Sequence, residues 1–259
     1  RTMMPLPVPV PPEIVPVPTV GRTFTVTRRV RWGDTDAAGR LRLDALARYL
    51  QDVANDDTRD AGHDPFEPWL VRRTSLVLGK PFVLGELVSL TTFSGGNGSR
   101  WGERRTAIVG DQGGRCESAA LWIFFDPVSG RPARITPQIH ATYDEAAAGR
   151  TVSARLRHRA PPSEGAEVDV RPWPLRATDL DKLGHVNNAA TWAAVEDEMA
   201  RRGVRAGSFA EIEYPDALEL GDVVELQSAH DPQSGALHLW LSVEGKVRAS
   251  AVVAAVPRG

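Results

Sequence analysis

A chain of 259 residues with 42% apolar and 25% charged side chains carries enough material for one large or two medium domains around a real hydrophobic core. Its formal net charge of -2 gives no bulk attraction to polyanions, so no nucleic-acid partner is expected. Cys116 is the single cysteine, which excludes an internal disulfide and a multi-cysteine zinc site; with no long apolar run and no basic segment leading into one, the expectation is a cytoplasmic protein without a membrane span.

Residues 5–18 alternate proline with aliphatic side chains, a pattern that neither a helix nor a central strand accepts. Positions 1–20 are therefore read as a mobile tail, whose valines could otherwise lie along a groove of a partner subunit in a homodimer. From Arg22 to Trp32 the residues alternate as in a strand, and G-D-T-D-A-A-G (33–39) makes a turn. Leu41, Leu43, Leu46, Ala47, Leu50, Val53 and Ala54 recur at spacings of three and four, predicting a long amphipathic helix that ends near Gly62. β-type segments follow at 75–78, 87–93, 104–109 and 119–125, separated by glycine-rich stretches suited to antiparallel hairpins. Over 135–168 the periodicity is lost, and P-P-S-E-G (161–165) reads as a linker. A second cycle then runs: a proline-broken strand at 168–176, the stretch D-L-D-K-L-G-H-V-N-N (179–188), a helix over 191–200, and further β-type segments beginning at 211, 223, 236 and 247. The expected organisation is a first half over 21–145, a linker or crossover over 146–167 and a second half over 168–259, in an α+β arrangement.

The two cycles align. Asp34, Asp36 and Gly39 fall on Asp179, Asp181 and Gly184 at a constant offset of 145, and Arg31 falls on Arg176. L-G-E-L-V-S-L (84–90) matches L-G-D-V-V-E-L (220–226) at an offset of 136, so the same elements recur with shorter connections. The copies diverge at one chemically telling place: Arg40 stands where the second half has His185. Two carboxylates, an imidazole and two amides thus gather where a helix begins, a place suited to holding a carbonyl or an oxyanion. Asp179 and Asn188 also suit capping, and the second half is the better candidate for chemistry. His63, His140, His158, His230 and His238 have no metal-like spacing and read as surface or incidental, so no metal is expected.

R-W-G-D-T-D-A-A-G, the helix carrying Y-L-Q-D-V-A-N (49–55), W-I-F-F-D-P-V-S-G-R-P-A-R-I (122–135) and D-L-D-x-x-x-H-V-N-N (179–188) together resemble the acyl-ACP thioesterases of plant plastids and bacteria, over about Phe24 to Val253. The resemblance implies a tandem hotdog fold, in which each half wraps a curved antiparallel sheet around a long helix and the two sheets join side by side. It implies cofactor-free hydrolysis of fatty acyl-ACP, with acyl carrier protein, or coenzyme A in an acyl-CoA thioesterase of the same fold, as the carrier. A hotdog protein that binds an acyl chain or carrier without hydrolysis is the third reading. The family's D-x-N-x-H pattern falls on Asp181 and His185, with Leu183 at the asparagine, and its further acidic residue aligns near Ala217. Asn187, Asn188 or Gln51 would then stand in for the missing amide, with Glu196, the equivalent of Gln51, and Asp36 as supporting groups. Arginines at 28, 29 and 31, at 72 and 73, at 100, 104 and 105, and at 155, 157 and 159 are candidates for docking an acidic carrier, and Trp69, Phe82 and Trp101 for shaping a pocket.

Overall fold

A computed structural model describes residues 6–66, 68–162, 168–231 and 233–255. The start of the expected tail (1–5) and the end of the expected linker (163–167) lie outside the described residues. The chain divides into two compact units, one from Pro12 to Arg155 and one from Leu156 onward that includes the tail up to Pro11.

In the first unit, β1 (Thr23–Arg29), β2 (Trp69–Leu78), β3 (Leu87–Asn97), β4 (Trp101–Gly110) and β5 (Arg115–Phe124) form an antiparallel sheet in the order β1-β3-β4-β5-β2. Helix α1 (Leu43–Asp60) buries Leu46, Leu50, Val53 and Ala54, the stripe its spacing predicts. The second unit repeats the plan. β6 (Asp169–Pro172), β7 (Phe209–Glu213), β8 (Val224–His230), β9 (Leu237–Val243) and β10 (Lys246–Ala254) pair antiparallel in the order β7-β10-β9-β8-β6. Each unit is thus a hotdog, and the chain is a tandem hotdog.

Three local expectations need correction. Helix α2 (Pro137–Ala147) lies where the apolar periodicity fails. Its signal is at the N-terminus: Thr136 accepts the Ile139 N–H with its side chain, and Pro137 takes the first turn, where its missing N–H costs nothing. Ile139 then packs with Phe124 and Ile135. The tail makes a contact at Glu13, whose carbonyl accepts from Arg105 at 2.6 Å. The linker is anchored as well: Trp101 donates to the Val152 carbonyl at 2.7 Å in the first unit, and Trp240 to the Arg159 carbonyl at 2.8 Å in the second.

The third helix, α3 (Asn188–Arg202), is held by both packing and charge. Trp192, Val195 and Met199 are almost fully buried, and Thr191, Ala194 and Val195 face Ile212, Leu239 and Leu241 of the sheet. Glu198, also fully buried, accepts from Arg201 at 2.7 Å, Arg202 at 2.9 Å, Arg171 at 3.1 Å and the Ser228 hydroxyl. Burial pushes its carboxyl pKa up, but the hydrogen bonds from Arg201, Ser228, Arg202 and Arg171 outweigh burial and hold it at about 2.

Because the folded pKa lies below the ordinary 4.5, the stabilisation is complete above pH 4.5 and is lost as pH falls toward about 2. Its full size corresponds to about 3 kcal/mol. Glu198→Gln should lower stability by about that amount at neutral pH, because it removes the buried anion that Arg171, Arg201 and Arg202 share and leaves them only their exposed partners Asp197 and Asp169. It should also shrink the acid limb between pH 4.5 and 2 in urea unfolding curves, leaving the part due to other carboxylates held below their ordinary value, such as Asp44.

Candidate functional site

Four backbone hydrogen bonds of the duplicated turn recur in both units. In the first, the Asp36 N–H donates to the Arg40 carbonyl (2.8 Å), Gly39 to Asp36 (3.0 Å), Arg42 to Asp34 (2.9 Å) and Leu41 to Phe82 (2.9 Å). In the second, the same donors and acceptors are Asp181 to His185 (2.9 Å), Gly184 to Asp181 (3.0 Å), Asn187 to Asp179 (2.8 Å) and Val186 to Leu218 (2.8 Å). Gly39 and Gly184 have φ of 78° and 79°, a backbone shape that side chains with a Cβ rarely adopt. In both copies a carboxylate oxygen closes the loop: Asp36 Oδ1 accepts the Ala38 N–H (3.0 Å) and Asp181 Oδ1 the Leu183 N–H (2.9 Å).

On this common backbone the side chains differ. Arg40 turns back onto Asp36, Nε to Oδ2 at 3.0 Å. Partial burial raises the Asp36 pKa, but the backbone N–H and guanidinium of Arg40 outweigh it and hold the carboxyl below its ordinary value. In the second unit His185 takes the place of Arg40 and leaves the turn open. Its Nε2 lies 3.9 Å from Glu219 Oε1, with the two side chains 41% and 68% exposed. Glu219 bridges the His185 backbone as Val83 bridges Arg40, at the offset of 136. The sequence reading missed Glu219 and looked near Ala217, although it is the next carboxylate along that segment after Asp216.

The remaining expected residues fall in distinct places. Asn187, rather than Asn188, caps α3, its side-chain oxygen accepting the Ala189 N–H at 2.9 Å, so its NH2 group is the part left to donate to a ligand. Asn188 is the first helical residue, and its carbonyl accepts the Tyr214 hydroxyl at 2.9 Å. Tyr214, which the sequence reading also passed over, is buried, and that burial raises its hydroxyl pKa. Asp179 is taken up by Arg176 in a preceding turn. Leu183 is 64% exposed at the tip of the loop. Glu196 is half-buried on α3; Asp36 and Gln51 belong to the other unit. The arginines proposed for docking are partly committed inward: Arg28 pairs with Asp56, Arg104 with Asp57 and Arg105 with Glu103.

A cleft opens in the first unit, walled by Trp69, Trp122, Ile135 and Ile139. Of the three large residues expected to shape a pocket, Trp69 lines it; Phe82 is buried against Gly114, and the Trp101 indole is spent on Val152.

Two histidines read as surface or incidental are buried, because the linker crosses the outer face of β7 and β10. His158, Glu211 and Glu213 offer atoms within 4.8 Å of one another, a donor set that fits a cation. They are already engaged as a clamp. Arg157 binds Glu211 through Nε at 2.8 Å, and Glu213 accepts the Arg157 and His158 N–H groups at 2.8 and 3.0 Å. His238, stacked on Trp240, leaves a buried Nε2 without a partner among the described residues. Burial, then the nearby His158, lowers its pKa to about 4.

The chain matches the family model of the acyl-ACP thioesterase N-terminal domain over residues 21–143 and that of the C-terminal domain over residues 163–254. An uncharacterized protein of Mycobacterium tuberculosis is 27% identical over 242 residues, spanning 93% of this chain and 95% of that protein. Among solved structures, one from Lactobacillus plantarum, provisionally assigned as an oleoyl thioesterase, superposes with a TM-score of 0.77 at 16% identity, over 93% of this chain and 99% of that one. The 12:0-ACP thioesterase of Umbellularia californica gives a TM-score of 0.74 at 16% identity, over 91% and 98%. Both share the fold.

Asp181→Asn keeps the oxygen that closes the turn and should leave the unfolding midpoint close to that of the parent, whereas Asp181→Ala should cost about 1 kcal/mol in urea. For His238, the unfolded chain takes up a proton that the folded one refuses, so stability should fall as pH drops from 6.5 to about 4. His238→Phe should flatten that window in urea titrations at stepped pH.

Proposed function

The chain belongs to the acyl-ACP thioesterase family, and on that premise we propose that it hydrolyses fatty acyl-ACP to free fatty acid and carrier thiol, in fatty acid biosynthesis. One observation carries the assignment of the chemistry to the second unit: two identical turns differ in that Arg40 neutralises Asp36 while His185 leaves its turn open beside Glu219.

Hydrolysis needs a polarised thioester carbonyl and a water that can lose a proton. Donors at the start of α3, with the Asn187 amide, suit the carbonyl oxygen as it becomes an oxyanion. Asp181 orients the water, and His185 takes its proton as the C–O bond forms. Glu219 lies 3.9 Å from the imidazole that takes this proton. Collapse of the tetrahedral intermediate breaks the C–S bond, and the same imidazolium returns the proton to the departing thiolate. The site is solvent-exposed without substrate, so the 3.9 Å approach of His185 to Glu219 is one that substrate binding can tighten.

Thiol release from long-chain acyl-ACP and acyl-CoA tests this. His185→Ala and Asp181→Asn should each lower kcat/KM by about 10²-fold or more. Glu219→Gln should cost about tenfold. Release from acyl-CoA alone would move the carrier assignment. Release from neither, with binding of acyl carrier protein intact, would replace hydrolysis by a binding role.

A further inference from the structure

The duplicated turn also isolates residues of the first unit that the fold does not require. At the offset of 145, Trp32, Arg42, Asp44 and Arg48 correspond to Ala177, Asn187, Ala189 and Ala193. The second unit makes the same backbone hydrogen bonds with these smaller residues, so the larger set is not needed to build the turn. Trp32, in the single-turn 3-10 helix Trp32–Asp34, is 84% exposed and stands outside the cleft of the first unit. Guanidinium groups gather beside it. Arg31 is exposed, and Arg42 reaches into the turn, donating to the Gly33 and Thr35 carbonyls at 3.0 and 2.8 Å. Asp44 is buried beneath Arg42 at 2.8 Å and Arg48 at 2.9 Å, while the Arg48 side chain stays 43% exposed. Asp34 accepts the Tyr49 hydroxyl at 2.6 Å. Burial, then Asp34, raises the Tyr49 pKa, and the charges of Arg31 and Arg48 both pull against them, so the two guanidinium groups act on one spot. Further along α1, Asp52 lies near Arg28 and Arg48, and Asp56 pairs with Arg28.

The turn therefore presents to solvent an indole and guanidinium groups over a buried carboxylate. Tryptophan and arginine together are the residues that dominate binding between proteins, whereas a small ligand takes a concave site. Outward guanidinium charge selects an acidic partner. We propose that the turn of the first unit, through Trp32, Arg31 and Arg48, docks an acidic carrier protein. That the partner is a carrier rests on the thioesterase reading; that it is an acidic protein rests on these three residues. The duplication then divides the work, one turn holding the carrier and its copy performing the chemistry.

The test uses the full chain and fluorescently labelled acyl carrier protein, with binding followed by anisotropy at low and high salt. Trp32→Ala and Arg48→Ala each install the residue that the second unit already carries, so their unfolding midpoints in urea should stay close to the parent's. Trp32→Ala should weaken carrier binding by about tenfold or more, and Arg48→Ala by about threefold. Raising salt from about 50 to about 300 mM should weaken the parent by about tenfold, and Arg48→Ala by less. In thiol-release assays Trp32→Ala should raise KM for acyl-ACP with kcat held within about twofold, and should shift KM for acyl-CoA by less than about twofold. Carrier binding that neither variant changes, or no carrier binding by the parent, overturns the proposal. So does an equal rise in KM for acyl-ACP and acyl-CoA, which would make the patch a nucleotide site. Release from acyl-ACP with KM unchanged in both variants defeats only the docking assignment. Carrier binding lost in Trp32→Ala, with no thiol release from any thioester by the parent, defeats only the thioesterase reading.

Discussion

The turn ahead of each long helix depends on a backbone hydrogen bond from an aspartate N–H to the carbonyl four residues on, closed by that aspartate's own carboxylate. A glycine at φ near 78° makes the loop short enough for the bond to form. Because the next N–H pair joins the turn to the segment ahead of a sheet strand, the loop also sets where the helix begins and what faces the residue at its fourth position. The backbone at that position is held by main-chain hydrogen bonds whichever side chain it carries. The position can therefore change from arginine to histidine while the fold around it stays the same.

A few carboxylates in this protein are buried and gather arginines around them. Asp57 in the first unit and Glu198 in the second each gather several donors while nearly inaccessible to solvent, Asp57 with Arg22, Arg104 and Tyr143, and Glu198 with its three arginines. Arginine suits this use because its planar fork satisfies more than one acceptor and stays charged when buried. The abundance of arginine clusters along the sequence is thus partly a property of the core. The clamp of Arg157 and His158 on Glu211 and Glu213 follows the same logic and turns an apparent linker into part of a packed face.

What sequence patterns could and could not show follows from the physics of each element. Helix α1 was legible because one face is apolar and the other charged. α2 was not, since its burial is confined to Ile139, Ala146 and Ala147, and only Thr136 with Pro137 marks its start. His158 and His238 looked incidental because burial by a non-regular segment leaves no period in the sequence. Glu219 was passed over because an alignment places residues along the chain, whereas its approach to His185 comes from a bridge between two loops.

By itself the sequence determined the duplication, the order of the strands and of the two long helices, and the family, since these are written in periodicity, spacing and short motifs that local chemistry enforces. It also determined that the copies diverge at Arg40 and His185. Only the tertiary structure decided what that divergence means, by closing Arg40 onto Asp36 and setting His185 before Glu219. It alone decided which amide caps α3, and that Trp32 stands in solvent rather than in a cleft. Those outcomes depend on which segments the sheets and their turns bring together, and no local pattern records that.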